Sequence, residues 1–327
     1  MESKIKPGVL QIAGAFLAVY LIWGSTYLAI RFAIDTIPPL MMVGARFVLA
    51  GIPLYGILRL MGAPRPSLAE WRVAGLLGVL LLSVGTGGIA ISEKSVPSGL
   101  VSLLVALVPV YVAVLEWMFS GFKKLNKYSV IGLGVSTIGI FILVGPTMFS
   151  KVGNSMDNLF GIFVVLFSSL SWALGTVISR KLERPRSSML GAAMQMMTGG
   201  VFLLVAAFVM GEHNGLDPAK ISSQSLIAFA YLTVFGSIAG YSAYTWLLKH
   251  LSPDKVSTYA YVNPVVAVLL GWIILGEPVG PMTVAAACTI LSGVGLISLG
   301  ATNTTLATAT GSYRRVVRKT SQLLKLR

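Results

Sequence analysis

Arg46 is the one cation that lies well inside an apolar run of this sequence, eight residues past Pro38. At about 1.5 Å of rise per residue it would sit roughly 12 Å into a helix. A guanidinium at that depth in lipid costs about 2.5 kcal/mol or more unless it faces protein or a water-filled cavity. Glu93, Asp35, a freed backbone carbonyl or a substrate carboxylate could each pair with it. Two roles fit it at this level: a structural tie between helix ends, the plainer reading, or an anchor for an anionic substrate group. Glu116 is the corresponding carboxylate, near the far end of its own apolar run and close to Lys123 and Lys124. It suits either a proton-coupling group or a plain interfacial ion pair.

Polar and aromatic residues recur at three- and four-residue spacing, which puts them on single helix faces. One stripe is Tyr20, Trp23, Tyr27 and Arg31; a second is Ser168, Trp172, Thr176 and Arg180; a third is Thr233, Ser237, Tyr241 and Tyr244, beside a small face of Gly236 and Gly240. Tyr259, Tyr261 and Asn263 precede Pro264. These residues would line an aromatic, mostly uncharged cavity, or else serve ordinary packing. Pro109 and Pro264 fall in the middle of two apolar runs, where each is expected to break its helix and free the carbonyl four residues earlier, at Val105 and Ala260. Free backbone at membrane depth survives only where protein or a wet cavity satisfies it; a packing kink is the simpler alternative.

Enzyme chemistry finds little to use. His213 and His250 lie in different loops, no carboxylate pair shares an apolar run, and the single cysteine, Cys288, sits among apolar residues. No phosphate-binding glycine loop stands out from the packing glycines, so neither a cofactor nor a metal is expected.

The elements that would hold these residues are membrane spans. Hydrophobic residues make up 55% of the chain and charged ones 11%, with a mean hydropathy of +0.83. Runs near 9–33, 38–60, 71–92, 97–120, 127–146, 158–180, 188–210, 224–248, 254–276 and 279–300 predict ten transmembrane helices in an all-α membrane protein. The run that follows Lys4 and Lys6 is longer than a signal core of about 7–15 residues and is read as a retained span.

A net charge of +14 would suggest nucleic acid in a soluble protein, but here the cations sit between spans. Lys and Arg concentrate in the termini and even-numbered loops, which places both termini in the cytoplasm of a bacterial-type inner membrane. No nucleic-acid partner is expected; the partners are the bilayer and a small-molecule substrate. The tail Tyr313–Arg327 carries Val316, Val317, Leu323 and Leu324 among its cations. It fits an amphipathic segment on the anionic leaflet as well as it fits a simple basic tail.

The chain also repeats itself. At an offset of 149, Trp23 aligns with Trp172, Arg46 with Gln195 and Gly51 with Gly200; at 155, Gly85 aligns with Gly240, Lys94 with Lys249, Pro109 with Pro264 and Trp117 with Trp272. A unit of five spans reverses its orientation in the second copy. Two inverted five-helix repeats are therefore expected at 1–150 and 151–302, followed by a basic cytoplasmic tail at 303–327, with a site near the midplane between the halves.

Trp23-Gly24-Ser25-Thr26, Arg46-Phe47, Lys94 through Pro109, Lys249 through Pro264 and Leu275-Gly276-Glu277 before Gly293 and Gly295 together resemble the EamA family of the drug/metabolite transporter superfamily, over about 9–300. The resemblance implies ten spans, cytoplasmic termini and export of amino acids, other metabolites or drugs through a central cavity. The first half departs from the pattern at Gly121-Phe122, which stands in the place of Gly276-Glu277. The substrate pathway is expected to use Trp23, Tyr27, Arg46, Pro109, Trp172, Gln195, Tyr241, Tyr244, Tyr259, Asn263 and Pro264, with Glu116 as a coupling candidate. A secondary carrier working by alternating access is the leading expectation; an intramembrane enzyme or a passive channel is the alternative.

Overall fold

Local signals in the sequence set where the helices begin. Pro39 occupies the first turn of α2 (Pro39–Leu60), where a missing N–H costs nothing. Ser67 and Glu70 form a reciprocal capping box at the start of α3 (Leu68–Ser92). A computed structural model describes residues 8–119, 121, 127–149, 155–179, 181–182, 187–297 and 299, and every regular element among them is helical.

Before these comes α1 (Val9–Ala33). After α3 the chain runs through α4 (Ser98–Val105), α5 (Val108–Phe119), α6 (Lys127–Phe149), α7 (Ser155–Ile178) and α8 (Ser188–Val209). It continues through α9 (Ser223–His250), α10 (Pro253–Val256), α11 (Tyr259–Leu275) and α12 (Pro281–Ile297). Counting α4 and α5 as one crossing, seven helical stretches among the described residues are long and apolar enough to span a bilayer, and Lys127–Leu143, Tyr259–Leu275 and Pro281–Ile297 are shorter apolar helices. Large apolar side chains such as Phe141, Phe163, Phe202, Ile227 and Ile273 point outward, as lipid requires. The tail at 303–327, with Arg180, Lys123 and Lys124, lies outside the described residues.

Matching helices of the two halves pack on each other through glycine. A Cβ on Gly51 would lie 2.9 Å from the Ala193 carbonyl, and one on Gly200 2.9 Å from the Gly44 carbonyl, so α2 and α8 touch backbone to backbone. α6 and α12 meet in the same way at Gly132, Ser136 and Gly293. The remaining contacts cross over: α1 packs on α9 and α11, while α7 packs on α3 and α5.

The two mid-span prolines behave differently. Span four is broken at Ala106–Leu107, just before Pro109, as expected. The break expected at Pro264 is not there: α11 runs through that proline, and the chain unwinds instead at Ser257–Thr258. The reason is local. Pro264 stands early in α11 and removes only one intrahelical bond. Thr258 offers the backbone an alternative, donating to the Lys255 carbonyl at 2.7 Å and pairing with the Tyr20 hydroxyl at 2.8 Å.

Two features escape the periodicity of the sequence. Gly78–Thr86 within α3 and Leu232–Tyr241 within α9 are wound as π-helix, at matching places in the two halves. In each, a serine donates five residues back, Ser83 to Gly78 and Ser237 to Leu232, satisfying carbonyls that the wider turn displaces.

Candidate functional site

The stripes converge on a cavity walled by α1, α2, α3, the α4–α5 break, α7, α9 and α11. Trp23 and Trp172, one from each half, meet edge to face with ring centroids 5.5 Å apart. Tyr244 stacks obliquely on both, at 5.1 and 5.4 Å, and its hydroxyl bonds Thr176 at 2.6 Å. Tyr259 meets Trp23 edge on at 5.3 Å, and Tyr241 closes the far side of Trp172.

Each tryptophan is seated by a glycine of the opposite half. A Cβ on Gly85 would come within 2.9 Å of the Trp172 ring, and one on Gly240 within 2.5 Å of the Trp23 indole nitrogen. Both glycines belong to the π-wound segments, so the widened turns bring backbone up to the rings. Trp23 also donates to the Gly236 carbonyl at 3.2 Å.

The polar groups are unequal between halves. Gln195 is fixed by the Tyr241 hydroxyl, which donates to its carboxamide oxygen at 2.5 Å. Its counterpart Arg46 is 5% exposed, lies over the Phe47 ring, and has no hydrogen-bond partner at Nε or Nη1. The Ser169 hydroxyl is likewise buried without a partner among the described residues, and the Trp172 indole nitrogen is buried with only Tyr259 near enough to engage it; both residues line the cavity. The cavity therefore presents donors, Arg46 first among them, that no group among the described residues answers fully. Asn263, with its amide turned as its neighbours require, donates to the carbonyls of Tyr20 and Tyr259 at 3.0 and 3.2 Å.

Of the residues expected to form the pathway, Trp23, Tyr27, Arg46, Trp172, Tyr241, Tyr259 and Asn263 line this cavity. Gln195 and Tyr244 stand directly behind them through the bonds and ring contacts described. Pro109 and Pro264 do not line it themselves, but their neighbours Val108 and Asn263 do, and so does Val105, whose carbonyl Pro109 leaves without a helical donor. Glu116 is half-buried on α5 and is not among the lining residues. Thr26, Thr86, Ser169 and Gly85 were not assigned to the pathway from the sequence, and Gly240 was read only as part of a small packing face. The signal available for the glycines was their alignment at offset 155; what they touch depends on the fold.

Three carboxylates stand at helix ends outside the cavity lining. Glu93 directly follows α3, one turn beyond the lining residue Ile89, and is completely buried. Its backbone carbonyl accepts a hydrogen bond from Arg31. Glu277 reaches from the second half to the N-terminus of α4 and accepts from the Ser98 amide and hydroxyl at 2.8 Å each and from the Gly99 amide at 3.0 Å. On the same face Glu212 accepts from the Met41 amide in the first turn of α2 at 3.0 Å. Both are acids set at positive helix ends.

Comparison with known proteins agrees with this geometry. The sequence profile of the EamA-like transporter family matches residues 10–145 and 159–299. The chain is 38% identical over 293 residues to the inner membrane transporter YedA of Escherichia coli strain K12, covering 89% of this chain and 92% of that protein. It is 27% identical over 287 residues to the transporter YoaV of Bacillus subtilis strain 168, covering 88% and 96%. A solved crystal structure has the same fold, with a TM-score of 0.62 at 16% identity over 89% of this chain and 98% of that one.

Proposed function

The chain belongs to the EamA-like transporter family, and from that premise we propose that it is a secondary transporter that exports small metabolites by alternating access through the cavity between its two halves. In this reading the apolar helices make ten crossings arranged as two inverted five-helix repeats, 1–150 and 151–302, with both termini in the cytoplasm. The basic loops support that orientation. A membrane-impermeant thiol reagent applied to whole cells is expected to label a cysteine placed at the exposed Lys94 (K94C, in a C288S background) and to spare one placed at the exposed Arg65 (R65C). The reverse pattern would invert the topology.

The observation that carries the functional reading is the meeting of Trp23 and Trp172, from opposite halves, around a cavity whose partnerless groups are donors. Such a site suits a molecule with an apolar or aromatic body and one anionic or acceptor-rich group: the rings take the body and Arg46 the anion. Amino acids and aromatic acids have this character. The pairing of tryptophans across the two halves supports alternating access. Each ring is held by a glycine of the other half, so a tilt of one half against the other reshapes both walls at once.

Purified protein should be screened against a panel of amino acids and aromatic acids for a raised melting temperature, since only a ligand that prefers the folded state produces one. In proteoliposomes the compound so identified is expected to show saturable flux. R46Q should weaken its apparent affinity about tenfold, the equivalent of roughly 1.4 kcal/mol. A variant that melts normally and transports anionic compounds with unchanged affinity would reject Arg46 as the anchor.

A further inference from the structure

Glu93 is a carboxyl group one helical turn beyond the cavity-lining Ile89 that the transport reading leaves unused. It is 0% exposed, and neither of its oxygens has a hydrogen-bond partner among the described residues. Arg46, within range of its charge, is 5% exposed and has two donor nitrogens unanswered among the described residues. A bare carboxylate in a dry interior is costly, and costlier than one paired with a guanidinium, so this unpaired arrangement suits the neutral acid. The groups that face Glu93 come from three sides: Tyr27 and Arg31 on α1, Arg46 on α2, and Glu277 from the α11–α12 loop. Lys94 follows it on its own loop.

We infer that Glu93 is a proton-binding site that controls Arg46: protonated, it leaves the guanidinium to an anionic substrate, and ionised, it takes the guanidinium itself. The inference rests on the reading that Arg46 receives the substrate's anion. The exchange balances. An ion pair between Glu93 and Arg46 opens, one proton from water adds to a Glu93 oxygen, and the substrate anion pairs with Arg46, so one proton is bound for each anion bound and net charge is unchanged. Proton uptake and substrate binding are thereby linked at one residue pair. Burial, together with the charge of Glu277, pushes the Glu93 carboxyl well above the ordinary carboxylate range, against the pull of Arg31 and Arg46. Two-state behaviour of this kind is what a carrier needs to couple its cycle to a proton gradient.

Infrared difference spectroscopy of the full chain in lipid nanodiscs between acid and alkaline pH reads the carboxyl directly. The wild type should show the carbonyl band of a protonated buried acid that bleaches with a midpoint above the ordinary glutamate value of about 4.3. E93Q should lack that band. R46Q should raise the midpoint by about one unit or more, because a nearby cation is lost, while R46K should leave it nearly in place. A second reading covers variants that fold poorly. Because the folded state holds the proton more tightly than the unfolded chain, the wild-type melting temperature should fall as pH rises from the ordinary glutamate range through the Glu93 midpoint, and E93Q should flatten that slope. A band that survives E93Q, or a midpoint indifferent to R46Q, overturns the inference. If R46Q loses affinity for the anion while the Glu93 midpoint stays put, the transport reading stands and this one falls. If the midpoint moves but no anionic compound depends on Arg46, the proton site stands and its link to substrate is overturned.

Discussion

Replacing Gly199 by valine is expected to prevent assembly of the two halves, whereas the same change at Gly134 is expected to be tolerated. A Cβ on Gly199 would lie 2.6 Å from the carbonyl oxygen of Gly78 and 2.9 Å from its carbonyl carbon; a Cβ on Gly78 would lie 2.6 Å from the Gln195 carbonyl and 2.9 Å from the Gly199 amide nitrogen. The obstacles are backbone atoms on both sides, so no rotamer change relieves them. Ser83 ties the same point, donating to the Gly199 carbonyl at 2.8 Å from within the π-wound segment. Overpacking a core costs about 1–3 kcal/mol where side chains can shift. Here helices must separate, and a loss at or above roughly 3 kcal/mol is expected. Gly134 has no atom within 4 Å of its would-be Cβ. G134A should even gain up to about 1 kcal/mol from helix propensity. Melting temperature and the monodisperse fraction in detergent measure the contrast. Equal tolerance of G199V and G134V would show that the halves do not meet as described.

The same contact shows where sequence reasoning reaches and where it stops. Helix extents were legible to within a few residues because apolar runs and their breakers are local: Pro38-Pro39 and Gly276, which has a left-handed φ of +65° at the end of α11, mark boundaries by their own chemistry, whereas the start of α3 at Leu68, set by Ser67 and Glu70, was placed three residues late at 71. Most of the cavity was legible because a three- and four-residue spacing puts Trp23 with Tyr27, or Tyr241 with Tyr244, on one face whatever the tertiary structure. Winding was not. A π-turn arises when tertiary contacts such as Gly78 against Gly199 favour an extra residue per turn, and no residue type announces it. For the same reason the site of unwinding in the second half was misplaced, since Thr258 competes for backbone there only because Tyr20 of α1 stands beside it. Arg46 was found by its cost in lipid; that Gln195 is engaged by Tyr241 and Arg46 left open needed the packed helices.

Replacing Glu277 by alanine is expected to unseat α4 and, with it, the wall of the cavity at Val105. The eight residues of α4 are too few to hold a helix on their own propensity. Their first amides depend on a carboxylate brought from the other half, through bonds of 2.8, 2.8 and 3.0 Å to Ser98 and Gly99. Hydrogen bonds to charged groups contribute about 1.5–3 kcal/mol each, but this one carboxylate is only half-buried and water can answer part of the loss. A destabilisation of about 2–4 kcal/mol is therefore expected for E277A. E277Q should fall between, since its oxygen can still accept from Ser98 while its amino group confronts the Gly99 N–H. Coupling should appear in a double-mutant cycle: S98A should cost measurably in the wild type and much less beside E277A. Additive effects would show that Glu277 acts elsewhere. The need for this glutamate also explains why the first half lacks its counterpart. Phe122 stands where a reciprocal acid would be, and the helix start it would have to serve aligns with Pro253 and Asp254 in place of Ser98 and Gly99. A proline has no amide hydrogen to satisfy. The asymmetry between the two halves thus follows from which helix ends have orphan amides.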